Sequence, residues 1–225
     1  MSDELQPPTI SLRECTADEI GRRLRAWDTS VDGNAISIAD QKGVHGFAAG
    51  MSQSLSLQIE GDLGDFAFML NQHAEIELKG NLGSCAGHSL CSGFLLVNGN
   101  VGDGFGAYAT GGIVACIGRA GMRCGLGLSG GDVVVRSDVG SEAALGMAGG
   151  TLVLGNSVGE HLGAGMTGGT IFVRGTIKSL APGVRENRLK DSDTMRLSLL
   201  LARTGIRAAA KEFRVYRAQG GPPSS

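Results

Sequence analysis

The sequence predicts an all-β fold: a right-handed parallel β-helix, or single-stranded β-solenoid of 19-residue coils, with short helical caps at both ends. Three observations predict it. Cutting the chain before Ser56, Glu75, Phe94, Ile113, Asp132, Thr151 and Thr170 aligns the pieces without gaps at a 19-residue step. Three columns of the aligned repeat are apolar or small in every unit. Glycine recurs at two fixed places in the unit, where a coil has to turn.

The second position of each unit reads Leu57, Ile76, Leu95, Val114, Val133, Leu152, Ile171, and the fourth reads Ile59, Leu78, Val97, Cys116, Val135, Leu154, Val173. Positions two and four alternate with polar or small neighbours, the period of a strand with one buried face. The eighth position (Leu63, Leu82, Val101, Ala120, Val139, Val158, Ile177) marks a second inward point. Glycine fills the ninth position from Gly64 to Gly159 and closes five consecutive units at Gly93, Gly112, Gly131, Gly150 and Gly169. It supplies positive φ or close backbone approach at a tight corner. An α/β reading needs helices of about ten residues or more between strands, and glycine at this density does not support them.

The repeat is clear from Ser56 to Ile177, and Ile36 to Leu55 reads as a degenerate first coil. The predicted organisation is a strand–helix cap over 1–35, the β-helix over 36–185, a C-terminal helix-and-strand cap over 186–217, and a disordered tail over 218–225. In the first cap, residues 9–15 read as a strand. Thr16 with Glu19 has the form of a capping box opening a helix to about Trp27, and Asp28 to Asn34 reads as a turn. In the second cap, Asp193 is expected to N-cap a helix carrying Met195, Leu197, Leu199, Leu200 and Leu201, stopped at Gly205. Its leucines lie on more than one face, so the helix is expected to be buried against something. Glu212 to Tyr216 alternates like an edge strand. Seven coils predict a rod roughly 30–35 Å long.

Composition narrows the function classes. A length of 225 residues suffices to bury a sizeable core. Twenty basic and 22 acidic residues leave a net charge of −2, with no bias toward nucleic acid or anionic lipid. No apolar run reaches the length of a membrane span, and residues 1–15 lack a basic segment followed by an apolar one. These features predict a soluble, cytoplasmic protein. Cys15, Cys85, Cys91, Cys116 and Cys124 are odd in number and form no CxxC pair. They read as free thiols of a reducing compartment, some in the core.

Several signals for chemistry have a structural alternative that the repeat favours. Gly125–Gly130 and Gly163–Gly168 both match the dinucleotide fingerprint G-x-G-x-x-G. That fingerprint requires a helix after the motif, whereas Asp132–Val135 and Thr170–Val173 follow as strands. The two copies lie two repeats apart at identical repeat positions, so they read as solenoid corners. The histidines His45, His73, His88 and His161 fall in different coils without partners at metal-ligand spacing. His88 with Cys85 and Cys91 is the one grouping that resembles a metal or thiolate site. Asp62, Asp65, Glu75, Glu77, Asp103, Asp132, Asp138, Glu142 and Glu160 show no ladder of the kind used in polysaccharide cleavage and read as a solvated or partner-facing surface. Arg174, Lys178, Arg185, Arg188 and Lys190 read as the soluble rim of the solenoid end, or as a contact for a protein or anionic ligand. No catalytic, cofactor-binding or metal-binding residue is expected on this chain.

The block GLGLSGGDVVVRSDVGSEAALGMAGGTLVLGNSVGEHLGAGMTGGTIFVRG resembles the C-terminal β-helix (GXGXG) domain of glutamate synthase large subunits, over about Ile36 to Arg185. This resemblance implies a domain without catalytic residues, packed between a glutamine amidotransferase domain and a flavin-containing synthase domain. The chain is similar to the free-standing form of that β-helix. Its ending, LSLLLARTGIRAAAKEFRVYRA, is similar to that of the β-helix subunit of N-methylglutamate synthases (methylamine–glutamate N-methyltransferases). That likeness implies a scaffold in a hetero-oligomer, with an amidotransferase-like partner and a glutamate-synthase-like partner carrying FMN and an iron–sulfur cluster. The same β-helix occurs as one of the subunits of formylmethanofuran dehydrogenases, where a zinc amidohydrolase-like subunit and a tungsten or molybdenum subunit are the expected company. A third alternative is a free-standing solenoid acting on or binding carbohydrate.

Overall fold

The computed structural model describes residues 9–11, 16–28 and 35–219. Its elements are β1 (Thr9–Ser11), α1 (Ala17–Arg25), β2 (Ala35–Val44), β3 (Ser56–Leu63), β4 (Glu75–Lys79), β5 (Phe94–Val97) and β6 (Thr110–Cys116). Then follow β7 (Gly130–Val135), β8 (Thr151–Leu154), β9 (Thr170–Val173), β10 (Val184–Asn187), α2 (Asp191–Arg203), a 3-10 turn (Ala210–Glu212) and β11 (Arg214–Ala218). Strands β1 to β9 stack in parallel and in chain order, as coils of a β-solenoid. The register steps by the repeat: Ser56 pairs with Glu75, Glu75 with Phe94, Phe94 with Ile113, and so on to Thr151 with Thr170. The eighth-position column forms its own parallel ladder from Leu63 to Ile177. In the degenerate first coil, Ile36 and Ile38 pair with Leu57 and Ile59, and two bulges follow before Val44 meets Leu63.

Stacking at about 4.8 Å per coil merges the apolar columns into one core, with Leu57, Ile76, Leu95, Val114, Val133, Leu152 and Ile171 all at most 1% exposed. Helix α1 covers the N-terminal end of that core with Ile20 and Leu24. Thr16 is its N-cap, with the Glu19 amide donating to Thr16 Oγ1 at 3.3 Å and the Thr16 amide donating to Glu19 Oε2 at 2.7 Å. Of the turn predicted over Asp28 to Asn34, all but Asp28 lies outside the described residues. So do Cys15, residues 12–15 of the predicted first strand, and residues 220–225 of the predicted tail.

The C-terminal end differs from the sequence-based picture. β11 inserts antiparallel between β9 and β10, so it is an interior strand, and β10 is the sheet edge. Tyr216 stands opposite Ile171 and is buried in the core, while Val215 stands opposite Phe172 on the outer face. This strand pair covers the last coil. Helix α2 lies instead along the flank of the sheet. It begins at Asp191 rather than after Asp193, because Lys190 is the N-cap and its amide donates to Asp193 Oδ2 at 3.0 Å. No helix among the described residues is long and apolar enough to cross a membrane.

The two glycine columns do different work. Closing glycines such as Gly131 have left-handed backbone (φ +70°), and a Cβ there would lie 2.6 Å from the carbonyl group of Gly111. Ninth-position glycines such as Gly83 are not left-handed but leave no room, since a Cβ would lie 2.6 Å from the Asp65 amide nitrogen. Gly146 is left-handed (φ +65°) but faces open space. Gly146→Ala is therefore expected to cost about 1–2 kcal/mol from backbone conformation alone. Gly131→Ala should cost about 2–4 kcal/mol, because overpacking adds to it. Urea unfolding of the two variants measures the difference.

Candidate interaction surface

The third repeat position points outward, and its character changes along the solenoid. It reads Gln58 and Glu77 in the early coils, then Leu96, Ala115, Val134, Val153 and Phe172. The apolar part forms a second core with Leu197, Leu200 and Leu201 of α2, Ile206, Ala210, Phe213 and Val215. Thirteen helical residues cover roughly 20 Å, and four coil steps from β9 to β5 cover roughly 19 Å. From its start, where Asp193 meets Arg217 beside Thr170, through Arg196 on Thr151 and Asp132, to Arg203 on Glu75 and Phe94, the helix crosses the strands along the solenoid axis. Its buried residues Asp193, Leu197, Leu200 and Leu201 follow helical spacing. Met195 and Leu199, 69% and 66% exposed, occupy the opposite face.

Charge pairs fix this clasp (residues 188–219) to the first repeat position. Arg196 donates to Asp132 Oδ1 at 2.6 Å and to Thr151 Oγ1 at 2.9 Å. Arg217 on β11 donates to Asp193 and, at 3.2 Å, to Thr170 Oγ1. Arg203 donates to Glu75 at 2.7 Å and stacks on the Phe94 ring at 4.5 Å. The carboxylates of Asp132 and Asp193 are nearly buried, so each needs its guanidinium. A cleft of about 280 Å³ between Thr151, Thr170, Asp193 and Arg196 opens where these pairs meet.

Most of the carboxylates that read as a scattered surface are instead bonds between coils. Asp62 Oδ1 accepts from the Asn81 amide at 2.7 Å, Asn81 Oδ1 from the Asn100 amide at 2.8 Å, and Asn100 Oδ1 from the Arg119 amide at 2.9 Å. Asp65 and Asp103 accept from the Ser84 and Met122 amides, each at 2.7 Å. Asp138 accepts from the Ser157 amide at 3.3 Å. These acceptors sit at repeat positions seven and ten, and each serves the residue one coil on. Glu77 accepts from Asn98, Glu142 pairs with Arg123, and Glu160 with Lys178. In the basic rim, Arg174 pairs with Glu212 at 3.6 Å, Arg185 lies on the edge strand β10, and Arg188 and Lys190 follow it.

The G-x-G-x-x-G segments are corners. Gly125, Gly127, Gly163 and Gly165 have positive φ, and Gly130 and Gly168 lie against carbonyl oxygens one coil back. Cys85, His88 and Cys91 do not converge. His88 shares a hydrogen bond with Ser89 at 2.8 Å and its ring meets Tyr108 at 5.2 Å, while Cys91 donates to the Ser89 carbonyl at 3.4 Å. Among the described residues no group of three His, Cys, Asp or Glu side chains is placed to hold a metal ion.

Burial pushes the Cys116 thiol up to about 12 and also raises that of fully buried Cys124. Partial burial, with Asp65 and Asp103 nearby, raises that of Cys85. Among these four thiols, exposed Cys91 is expected to react first with iodoacetamide at pH 8, Cys85 more slowly, and Cys116 and Cys124 only after unfolding. Peptide mass spectrometry reads the order. Arg217→Ala leaves Asp193 unpaired at the α2–β11 junction and should destabilise the chain by about 3 kcal/mol in urea melts.

No family model matches the chain, and no curated protein matches it in sequence. Among solved structures, a chain of the formyltransferase/hydrolase complex from Methylorubrum extorquens, crystallised with methylofuran, has the same fold. The TM-score is 0.70 over 92% of this chain and 87% of that one, at 23% sequence identity. The likeness is one of fold.

Proposed function

We propose that this chain is a scaffold subunit of a multi-subunit group-transfer complex, a β-solenoid that positions other subunits while the chemistry proceeds on them. The particular complex we infer is of the formyltransferase/hydrolase type. The observation that carries this reading is the fold likeness to a chain of such a complex, over a share of the sequence too high for the clasp to fall wholly outside it. The outward surfaces agree with it: hydrogen-bonded corners and an ion-paired flank give a rigid body with fixed faces.

A second reading rests on the residues themselves. The repeat block and the ending LSLLLARTGIRAAAKEFRVYRA resemble the glutamate-synthase-like β-helix subunits, N-methylglutamate synthase among them, and that ending forms α2, the 3-10 turn and β11. On this reading the partners are an amidotransferase-like subunit and an FMN/iron–sulfur synthase-like subunit.

Affinity purification of the tagged full chain from its native cells separates the two. Co-purifying formyltransferase and hydrolase activity supports the first reading. A flavin and iron–sulfur spectrum with an amidotransferase-like subunit supports the second. A chain that purifies alone overturns both.

A further inference from the structure

We propose that the left-handed corner of the early coils is a docking surface for an apolar, cation-bearing face of a different subunit. Repeat positions eleven, thirteen and fifteen adopt positive φ in successive coils, as at Phe66, Phe68 and Leu70, or at Gly104, Gly106 and Tyr108. Position thirteen turns inward, and Phe68 is buried. Positions eleven and fifteen turn outward. In the later coils position fifteen is Gly127, Gly146 and Gly165, the residue this backbone favours.

In the early coils the same outward positions hold Phe66 (φ +59°) and Leu70 (φ +57°), then Cys85 and Ser89, then Gly104 and Tyr108 (φ +56°); Phe66, Leu70 and Tyr108 are the bulky ones. Left-handed backbone is unfavourable for bulky L residues. These three side chains are also 46%, 45% and 48% exposed. Folding thus recovers only part of what burying them could give, and strain and the remaining exposure both weigh against them. Burial on association supplies the missing return, since an exposed apolar cluster of this kind marks a contact site. The surface is also held in place: a Cβ on Gly127 would lie 2.6 Å from the Tyr108 ring, so the ring lies against the next coil, with His88 beside it at 5.2 Å. Met122, 42% exposed, extends the patch.

The rim sets the charge of the occupant. Asp65, Asp103 and Glu142 stand there against Arg123, whose guanidinium is taken by Glu142 at 2.7 Å. His45 lies 3.5 Å from Asp65. The excess is acidic, so the complementary face carries lysine or arginine opposite Asp65 and Asp103.

This inference rests on the reading of the chain as a subunit of a complex. The tagged full chain and its Phe66→Gly/Leu70→Gly/Tyr108→Gly variant are produced in the native cells, and their extracts are resolved by gel filtration. The wild-type chain is expected in a high-mass fraction with other subunits. The variant is expected to elute as the free chain, with a melting temperature within about 4 °C of wild type. Leu70→Asp should release the chain in the same way.

If the variants stay in the high-mass fraction, the docking surface lies elsewhere and this inference fails alone. A triple variant melting more than about 10 °C lower marks the three as packing residues and also overturns it. A high-mass fraction made only of this chain overturns the choice of a different subunit. A wild-type chain that elutes free overturns the complex itself.

Discussion

Along its strands the peptide groups of a solenoid coil have to meet partners in the coil one strand spacing away, while at the corners some instead bond three residues back within their own coil, as the Leu126 amide does to the Arg123 carbonyl. In this chain the requirement holds from β3 to β9 at a 19-residue step, with one shift where Thr110 meets Gly130 at the start of β6 and β7. Much else follows from it. Side chains at positions seven and ten accept the corner amides of the following coil, so Asp62, Asn81 and Asp103 are bound into the stack. The ninth-position glycines are there because backbone from the preceding coil occupies the space a Cβ would need. One added residue in a coil would move every later column off its partner.

A stack of coils leaves its ends and its outer face uncovered. Helix α1 covers the first end. At the other, β11 returns antiparallel to β9, placing Tyr216 over the core and Val215 over the flank. The flank needs α2 because the outward third position turns apolar from Leu96 onward. Greasy contact alone does not fix a helix along its axis. Arg196 on Asp132, Arg203 on Glu75 and Arg217 on Asp193 bind it to particular coils. The Asp132 and Asp193 carboxylates are nearly buried, and such pairs set position more than they add stability, whereas the Arg203–Glu75 pair is exposed and adds little.

Much of this was legible in the sequence. The three inward columns, the glycine corners, the Thr16–Glu19 capping box and the corner nature of both G-x-G-x-x-G segments depend on local period and spacing. The place of α2 was less so, although the third position held a signal: Gln58 and Glu77 give way to Leu96, Ala115, Val134, Val153 and Phe172. The acids looked scattered because their partners are backbone amides 19 residues away, which a search for side-chain pairs passes over. The interior position of β11 was hidden for a similar reason, since its alternation is the same at an edge and in the middle of a sheet.

The sequence by itself determined the coil length, which columns face inward and where the chain turns, because each is set by residues within one repeat and copied to the next. Only the tertiary structure decided which outward columns are covered, where the clasp lies, and that Cys85, His88 and Cys91 stay apart. It also set bulky Phe66, Leu70 and Tyr108 in left-handed backbone. These are relations between segments far apart in sequence, or backbone states imposed by the neighbouring coil, and they come into being only when the coils stack.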